Sequence, residues 1–230
     1  MNEPAPPRPA EDLTAWNDAM VARYDIDAYY ADAHPLVRWV EARRLRALDA
    51  LAAAAPGERL LEVGCGGGHV LMRYPDQERW GIDLSSVMLE RSARRVPGAR
   101  LARASADRLP FASGSFDVVL CTEVLEHVPD PGAVVAELMR VAAPGARVVV
   151  SIPNEGLIDR TKRVLSRLWL LRGPLRRLAG EGNEWHLHAF DLRLLRQVCA
   201  GHARVARVRS VPFRMAPVRY VARLRPPARP

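Results

Sequence analysis

A chain of 230 residues, 49% hydrophobic and 26% charged, is long enough for one globular domain with a sizeable core and too apolar for a disordered chain. Its cysteines, Cys65, Cys121 and Cys199, are odd in number and far apart, which excludes a disulfide framework or a zinc spacing, and no apolar run reaches the roughly eighteen residues of a membrane span. The net charge of +8 is uneven: residues 157–178 carry seven basic side chains against Asp159 alone, and the chain from Gly201 onward carries eight arginines and no acid.

Such basic segments suit an anionic partner surface, or simply solvated faces in an arginine-rich composition, since Lys162 is the only lysine. The expected setting is the reducing cytoplasm, with peripheral membrane contact as an option.

In chain order, residues 1–35 read as a tail and cap segment. Met1–Ala10 holds four prolines and no secretory signal. Residues 36–230 read as the domain proper. Leu36–Ala54 places Leu36, Val40, Leu45, Leu48 and Leu51 at helical spacing, with arginines on the other face. Short apolar runs follow at Arg59–Val63, Arg79–Asp83, Arg100–Ala104, Phe116–Cys121 and Arg147–Ile152. Near-continuous apolar runs suit a parallel sheet covered on both faces. Helices are expected between them, at Ser85–Arg95 with Ser85 as cap and at Gly132–Val141. The alternation predicts right-handed βαβ crossovers and a doubly wound α/β sheet. After Ile152 the rhythm breaks into a basic helical insertion at 154–183. A helix at Asp191–Ala200 and β-rich runs at Ala203–Val211 and Val218–Leu224 close the chain.

The first strand ends in Gly64-Cys65-Gly66-Gly67-Gly68. Glycines there permit a tight turn and let a ligand press on bare backbone. The second strand ends at Asp83, where a doubly wound fold places the carboxylate that grips a ribose. A dehydrogenase turn, G-x-G-x-x-G, does not fit. From Gly64 it requires glycine where His69 stands, and from Gly66 where Leu71 stands. The turn reads as acid-x-G-x-G-x-G, led by Glu62 and ending at Gly68.

Leu60–Gly68 resembles the first motif of class I S-adenosylmethionine-dependent methyltransferases, and Gly81-Ile82-Asp83-Leu84-Ser85 their second. Leu109-Pro110-Phe111, Ser115–Val119 and Glu123–Val128 resemble the next stations of the small-molecule branch, close to ubiquinone-pathway O-methyltransferases. The resemblance implies a Rossmann-like, seven-stranded mixed sheet with helices on both faces and its last strand antiparallel, at Val218–Leu224. It implies S-adenosylmethionine as co-substrate. Gly64, Cys65, Gly66 and the turn through Gly68 would hold its methionine part, helped by Glu62 at the amino group. Asp83 would grip the ribose and Leu84 lie along the adenine. Ser105 stands where many relatives carry an acid, so Ala106 and Asp107 would meet the adenine amino group. Thr122 would touch the methionine carboxylate or amine.

Methyl transfer to a hydroxyl needs a base, and histidine suits neutral pH. The candidates are His127, just past the fourth strand, and His186, with His188 beside it. Each also reads as a structural anchor, His127 for the Pro129 turn and the pair for a cover over the site. Glu123, Glu126 and His127 resemble the metal-binding residues of ubiquinone-pathway and small-RNA 2′-O-methyltransferases. At i, i+3 and i+4 they would share a helical face and could hold a magnesium or similar ion, with a fourth ligand from His186 or His188.

The insertion carries leucines and Trp169 at near-helical spacing, opposite Arg160, Arg163 and Arg167. That pattern fits a pocket cover or an interfacial helix at 157–178. With 6% aromatic residues, no platform for stacking bases is visible, so no nucleic-acid partner is expected. The expected activity is methyl transfer to a small or lipid-like molecule, at oxygen. A metal-assisted, membrane-associated quinone or lipid methyltransferase and a non-catalytic cofactor-binding scaffold stand as alternatives.

Overall fold

The computed structural model describes residues 13–23, 34–160 and 186–227. Helix α1 spans Leu13–Arg23 and α2 spans Pro35–Ala52. Five strands follow: β1 (Arg59–Val63), β2 (Glu78–Asp83), β3 (Arg100–Arg103), β4 (Phe116–Thr122) and β5 (Ala142–Pro153). Helix α3 (Ser86–Arg95) lies between β2 and β3, and α4 (Pro131–Val141) between β4 and β5. Helix α5 (Leu192–Cys199), β6 (Arg204–Pro212) and β7 (Pro217–Arg225) complete the fold. Most of the insertion, 161–185, lies outside the described residues, as do Tyr24, Tyr29 and Tyr30.

The sheet has seven strands in the order β3-β2-β1-β4-β5-β7-β6. All neighbours from β3 to β5 are parallel, whereas β7 runs antiparallel to both β5 and β6. The alternating sides of each strand feed two cores. Leu60, Val118, Leu120 and Val149 pack under α2 with Leu48 and Leu51. Leu61, Val119, Cys121, Val148 and Val150 face the other way, among Val134, Leu138 and Leu195 of α4 and α5. This two-sided burial explains why the strands read as apolar runs rather than as alternations. Each buried aliphatic side chain contributes roughly 1.5–3 kcal/mol, more than a surface contact returns.

Local chemistry sets the helix starts. Asp130 accepts from the amides of Gly132 and Ala133, with Pro131 at the first helical position, and Asp191 accepts from Leu194. Ser85 does occupy the cap position of α3, but its hydroxyl makes no capping bond. The Asp83 carboxylate takes the Ser85 amide instead, at 2.9 Å. The start of α3 is thereby tied to the acid at the end of β2. β5 begins earlier than its apolar run, at Ala142, because Ala142 still pairs with Phe116 across a register shift. The segment after the glycine turn forms only a 3-10 turn, Leu71–Arg73.

Candidate cofactor cleft

The strand order reverses between β1 and β4, and in such sheets the crevice outside the strand ends at that point takes the ligand. A cavity of about 290 Å³ opens there. Its walls include Glu62, Gly64, Cys65, Gly66, Asp83, Leu84, Ala106, Thr122 and His127. Eight predicted cofactor positions and one predicted base thus face one space.

Two predicted cofactor positions do not line it. Gly68 packs beneath α3, where an added Cβ would come within 2.7 Å of Ser92 Oγ, and its φ of +82° favours glycine. The glycine therefore serves helix–strand packing. Asp107 is exposed, because the turn closed by the Arg108 amide on the Ser105 carbonyl points it outward. Ser105 and Ala106 form that wall instead.

The turn's amides are occupied. Gly64 and Cys65 both donate to the Ile82 carbonyl at 2.9 Å, Gly66 donates to Asp83 Oδ2 at 2.8 Å, and Gly68 donates to the Cys65 carbonyl. A pyrophosphate needs free donors. Four of the five amides here are committed, so the turn is a poor phosphate cradle. The side-chain acids are acceptors, and acceptors suit a cationic ligand.

Glu62 supplies the clearest such acceptor. It is buried, and its Oε2 has no hydrogen-bond partner. Burial pushes its pKa up to about 8, although the Arg44 charge, the Leu71 amide and Thr122 oppose the shift. A buried, unpaired carboxylate oxygen is costly unless a ligand completes it. Asp83 is also raised, by burial first, against the bonds from Ser85, Gly66 and Leu84.

Sequence reading missed several walls. Leu13, Trp16, Asn17 and Val21 of α1 cover one side, with Trp16 and Val21 buried. His69 lines the turn. Arg44, expected on the outer face of its helix, points inward and is 2% exposed. Its guanidinium binds the Glu41 carboxylate and, at 2.9 Å, Ser151 Oγ. The Glu41-x-x-Arg44 spacing was the available signal.

At the far end of the cleft, Glu123 adopts φ +54°, a left-handed conformation uncommon outside glycine. It is held there by Ser151 Oγ at 2.8 Å and Arg219 Nε at 2.7 Å. The turn brings Val124 so near Gly64 that a Cβ on that glycine would lie 2.3 Å from it. Glu123 therefore does not continue into a helix with Glu126 and His127. Those two lie in a separate 3-10 turn, Leu125–His127, and the expected shared face does not form. Among the described residues the ligand atoms that converge belong to Glu126, His127 and His186, all within 4.8 Å of one another. Burial would raise Glu123, but Arg219 and Arg44 outweigh it and hold its pKa low; burial and then Glu123 push Glu126 well up.

His186 stands one step behind the cleft wall. Its ring meets His127 edge-on at 4.9 Å, and its Nδ1 is hydrogen-bonded to the buried Glu155, which the sequence reading did not single out. His188 is an anchor: its Nε2 lies 2.9 Å from the Val128 carbonyl. The Leu187 amide adds a bond to Glu126 O at 2.7 Å. The two histidines therefore part company.

Comparison with known proteins agrees with this geometry. Residues 61–150 match the family model of a methyltransferase domain. The chain is similar to class I S-adenosylmethionine-dependent methyltransferases. The ubiquinone biosynthesis O-methyltransferase of Hahella chejuensis is 42% identical over 111 residues, 44% of this chain and 46% of that protein. The demethylmenaquinone methyltransferase of Renibacterium salmoninarum is 34% identical over 143 residues, 61% of this chain and 58% of that one. The chain thus spans about half the length of the curated relatives it matches. Among solved structures, magnesium protoporphyrin IX methyltransferase from Synechocystis PCC 6803 with bound SAH has a TM-score of 0.61 at 16% identity, over 90% of this chain and 99% of that one. That likeness is one of fold. No helix among the described residues is long and apolar enough to cross a membrane.

Proposed function

We propose that the chain transfers a methyl group from S-adenosylmethionine to a hydroxyl of a small or lipid-like molecule. The observation that carries this reading is the unpartnered, buried Glu62 Oε2 facing the same cavity as Asp83. The first suits the donor's ammonium group and the second its ribose diol. Leu84, Met88, Ala104 and Ala106 offer an apolar slot for the adenine. The oxygen acceptor is supported by the O-methyltransferase named among the relatives.

The donor supplies an activated methyl carbon. The acceptor oxygen forms the new bond as the carbon–sulfur bond breaks, leaving a neutral thioether. The protein contributes placement and a dry cavity. His127, on the cavity wall, takes the hydroxyl proton, and His186 packs behind it. Arg219, and Arg44 through Ser151, hold Glu123 in the left-handed turn that precedes the 3-10 turn bearing His127.

A second reading has its own observation. Glu126, His127 and His186 converge, and Glu126 Oε2 lacks a partner. These three residues would hold a magnesium or similar ion, which would lower the pKa of an acceptor hydroxyl. Glu123 would not belong to that set.

Residues 1–35 are read as a tail and cap segment, of which Leu13, Trp16, Asn17 and Val21 line the cleft, and residues 36–230 as a methyltransferase domain with a basic helical insertion at 154–183. The basic stripe of 157–178 adds peripheral membrane contact.

Labelled S-adenosylmethionine with a panel of catechols and prenylated phenols tests the chemistry. His127→Ala is expected to lower kcat by roughly 10²–10⁴-fold, with KM for the donor little changed. Unchanged kcat would remove His127 as the base. Loss of activity in chelator, restored by magnesium, would select the metal reading.

A further inference from the structure

The face beside the cleft carries a feature that methyl transfer does not require. Four large apolar side chains stand exposed together with arginines at one rim of the sheet. Leu36 is 52% exposed, Trp39 36%, Phe213 57% and Met215 97%. Trp39 and Phe213 are in contact, with ring centroids 5.6 Å apart, so the start of α2 and the β6–β7 hairpin form one surface. A core-forming sequence does not leave two aromatic rings and a methionine outside without cost, and clustered exposure of this kind marks an interaction site.

Its location follows from the topology. The hairpin between Pro212 and Pro217 sits where Arg219 pairs with Pro153, at the C-terminal end of β5. Thr122, on the cleft wall, pairs with Ser151 at that same end. The patch and the cleft therefore open at the same edge of the sheet.

Its charge identifies the partner. Arg38, Arg43, Arg209 and Arg214 are exposed around the apolar side chains, and the Arg43 guanidinium lies 5.1 Å from the Trp39 ring centre. Neither 35–40 nor 212–217 contains an acid, and Glu41 is turned onto Arg44. Among the described residues of the helix start and the hairpin, the exposed charged side chains beside these apolar ones are arginines, a pairing that matches a bilayer interface, where rings sit at headgroup depth and guanidinium groups meet anionic headgroups.

We propose that Leu36, Trp39, Phe213 and Met215, with Arg38, Arg43 and Arg214, form a docking surface for an anionic lipid bilayer, which holds the cleft mouth against the membrane. The proposal concerns a surface separate from the 157–178 segment and does not depend on which acceptor is methylated.

The test is flotation of the full chain with vesicles of phosphatidylcholine alone and of phosphatidylcholine with phosphatidylglycerol. Binding to the anionic vesicles only is expected. A Trp39→Ala, Phe213→Ala, Met215→Ser variant should lose at least about tenfold of it. An Arg38→Glu, Arg43→Glu, Arg214→Glu variant should lose about fivefold or more per arginine. Both variants should keep the wild-type melting shift with S-adenosylhomocysteine, which reports fold and cofactor cleft independently of lipid. Wild-type binding in both variants would overturn the proposal. So would equal binding to neutral vesicles, loss only on charge reversal of Arg160, Arg163 and Arg167, or a wild-type dimer that the apolar variant dissociates.

Discussion

Asp83→Ala is expected to weaken binding of S-adenosylmethionine and S-adenosylhomocysteine by at least about 100-fold, read by titration calorimetry. The carboxylate has two tasks. Its Oδ2 accepts from Gly66 at 2.8 Å and its Oδ1 from Ser85 at 2.9 Å, so it joins the glycine turn to the start of α3. Each oxygen retains a further acceptor site for a ribose hydroxyl. Hydrogen bonds to a charged group contribute roughly 1.5–3 kcal/mol each, and two together exceed the expected loss. Asp83→Asn should weaken both tasks less than Asp83→Ala does, because its one remaining oxygen accepts from one of the two amides while its NH2 group can accept neither the other amide nor a ribose hydroxyl. Affinity within about threefold of wild type in Asp83→Ala would mean that the ribose lies elsewhere.

Glu62→Gln is expected to move stability and binding in opposite directions. Burial raises the folded pKa of Glu62 from 4.5 to about 8. A raised acid binds its proton more tightly in the folded state, so its contribution to stability is full below about pH 4.5. It is lost as pH rises towards about 8. The ligand-free protein should therefore melt progressively lower across that window. Glutamine cannot ionise, so the variant should lose this slope and melt above wild type at about pH 8.5. The difference is on the order of a few kcal/mol. Ligand binding should fall by about tenfold or more, because the amide no longer offers a full charge to the ammonium group. Wild-type affinity in the variant would show that Glu62 does not face the donor, and an unchanged slope in its melting curve would show that Glu62 is not the group that titrates in this window.

Much of this fold was legible because its signals are local. Strands buried on both faces, such as Phe116–Thr122, read as apolar runs, and Asp191 announced its helix by the cap chemistry of a single side chain. The glycine turn, Glu62 and Asp83 lie within 22 residues of one another and could be weighed together. What escaped depends on contacts between distant segments. Arg44 reaches Ser151 across 107 positions and Glu155 reaches His186 across 31. Helical spacing alone put Arg44 outside. The grouping of Glu123 with Glu126 and His127 assumed a continuous helix, and the left-handed turn at Glu123 breaks it. Gly68 belonged to the motif but serves the packing of α3 rather than the cleft. The turn's amides were expected to meet the ligand, yet strand pairing and Asp83 consume them. The backbone of Gly64, Cys65 and Gly66 therefore does not offer its amides to the methionine part of the donor, and the side-chain acids Glu62 and Asp83 are left as the acceptors at the cleft.

The central claim is that this cleft selects a cationic, ribose-bearing methyl donor. Melting shifts of the wild-type chain with S-adenosylmethionine, S-adenosylhomocysteine and NAD(P)H test it most directly. A shift with the first two and none with NAD(P)H is the predicted result. A shift with NAD(P)H and none with the methyl donor or its product would contradict it.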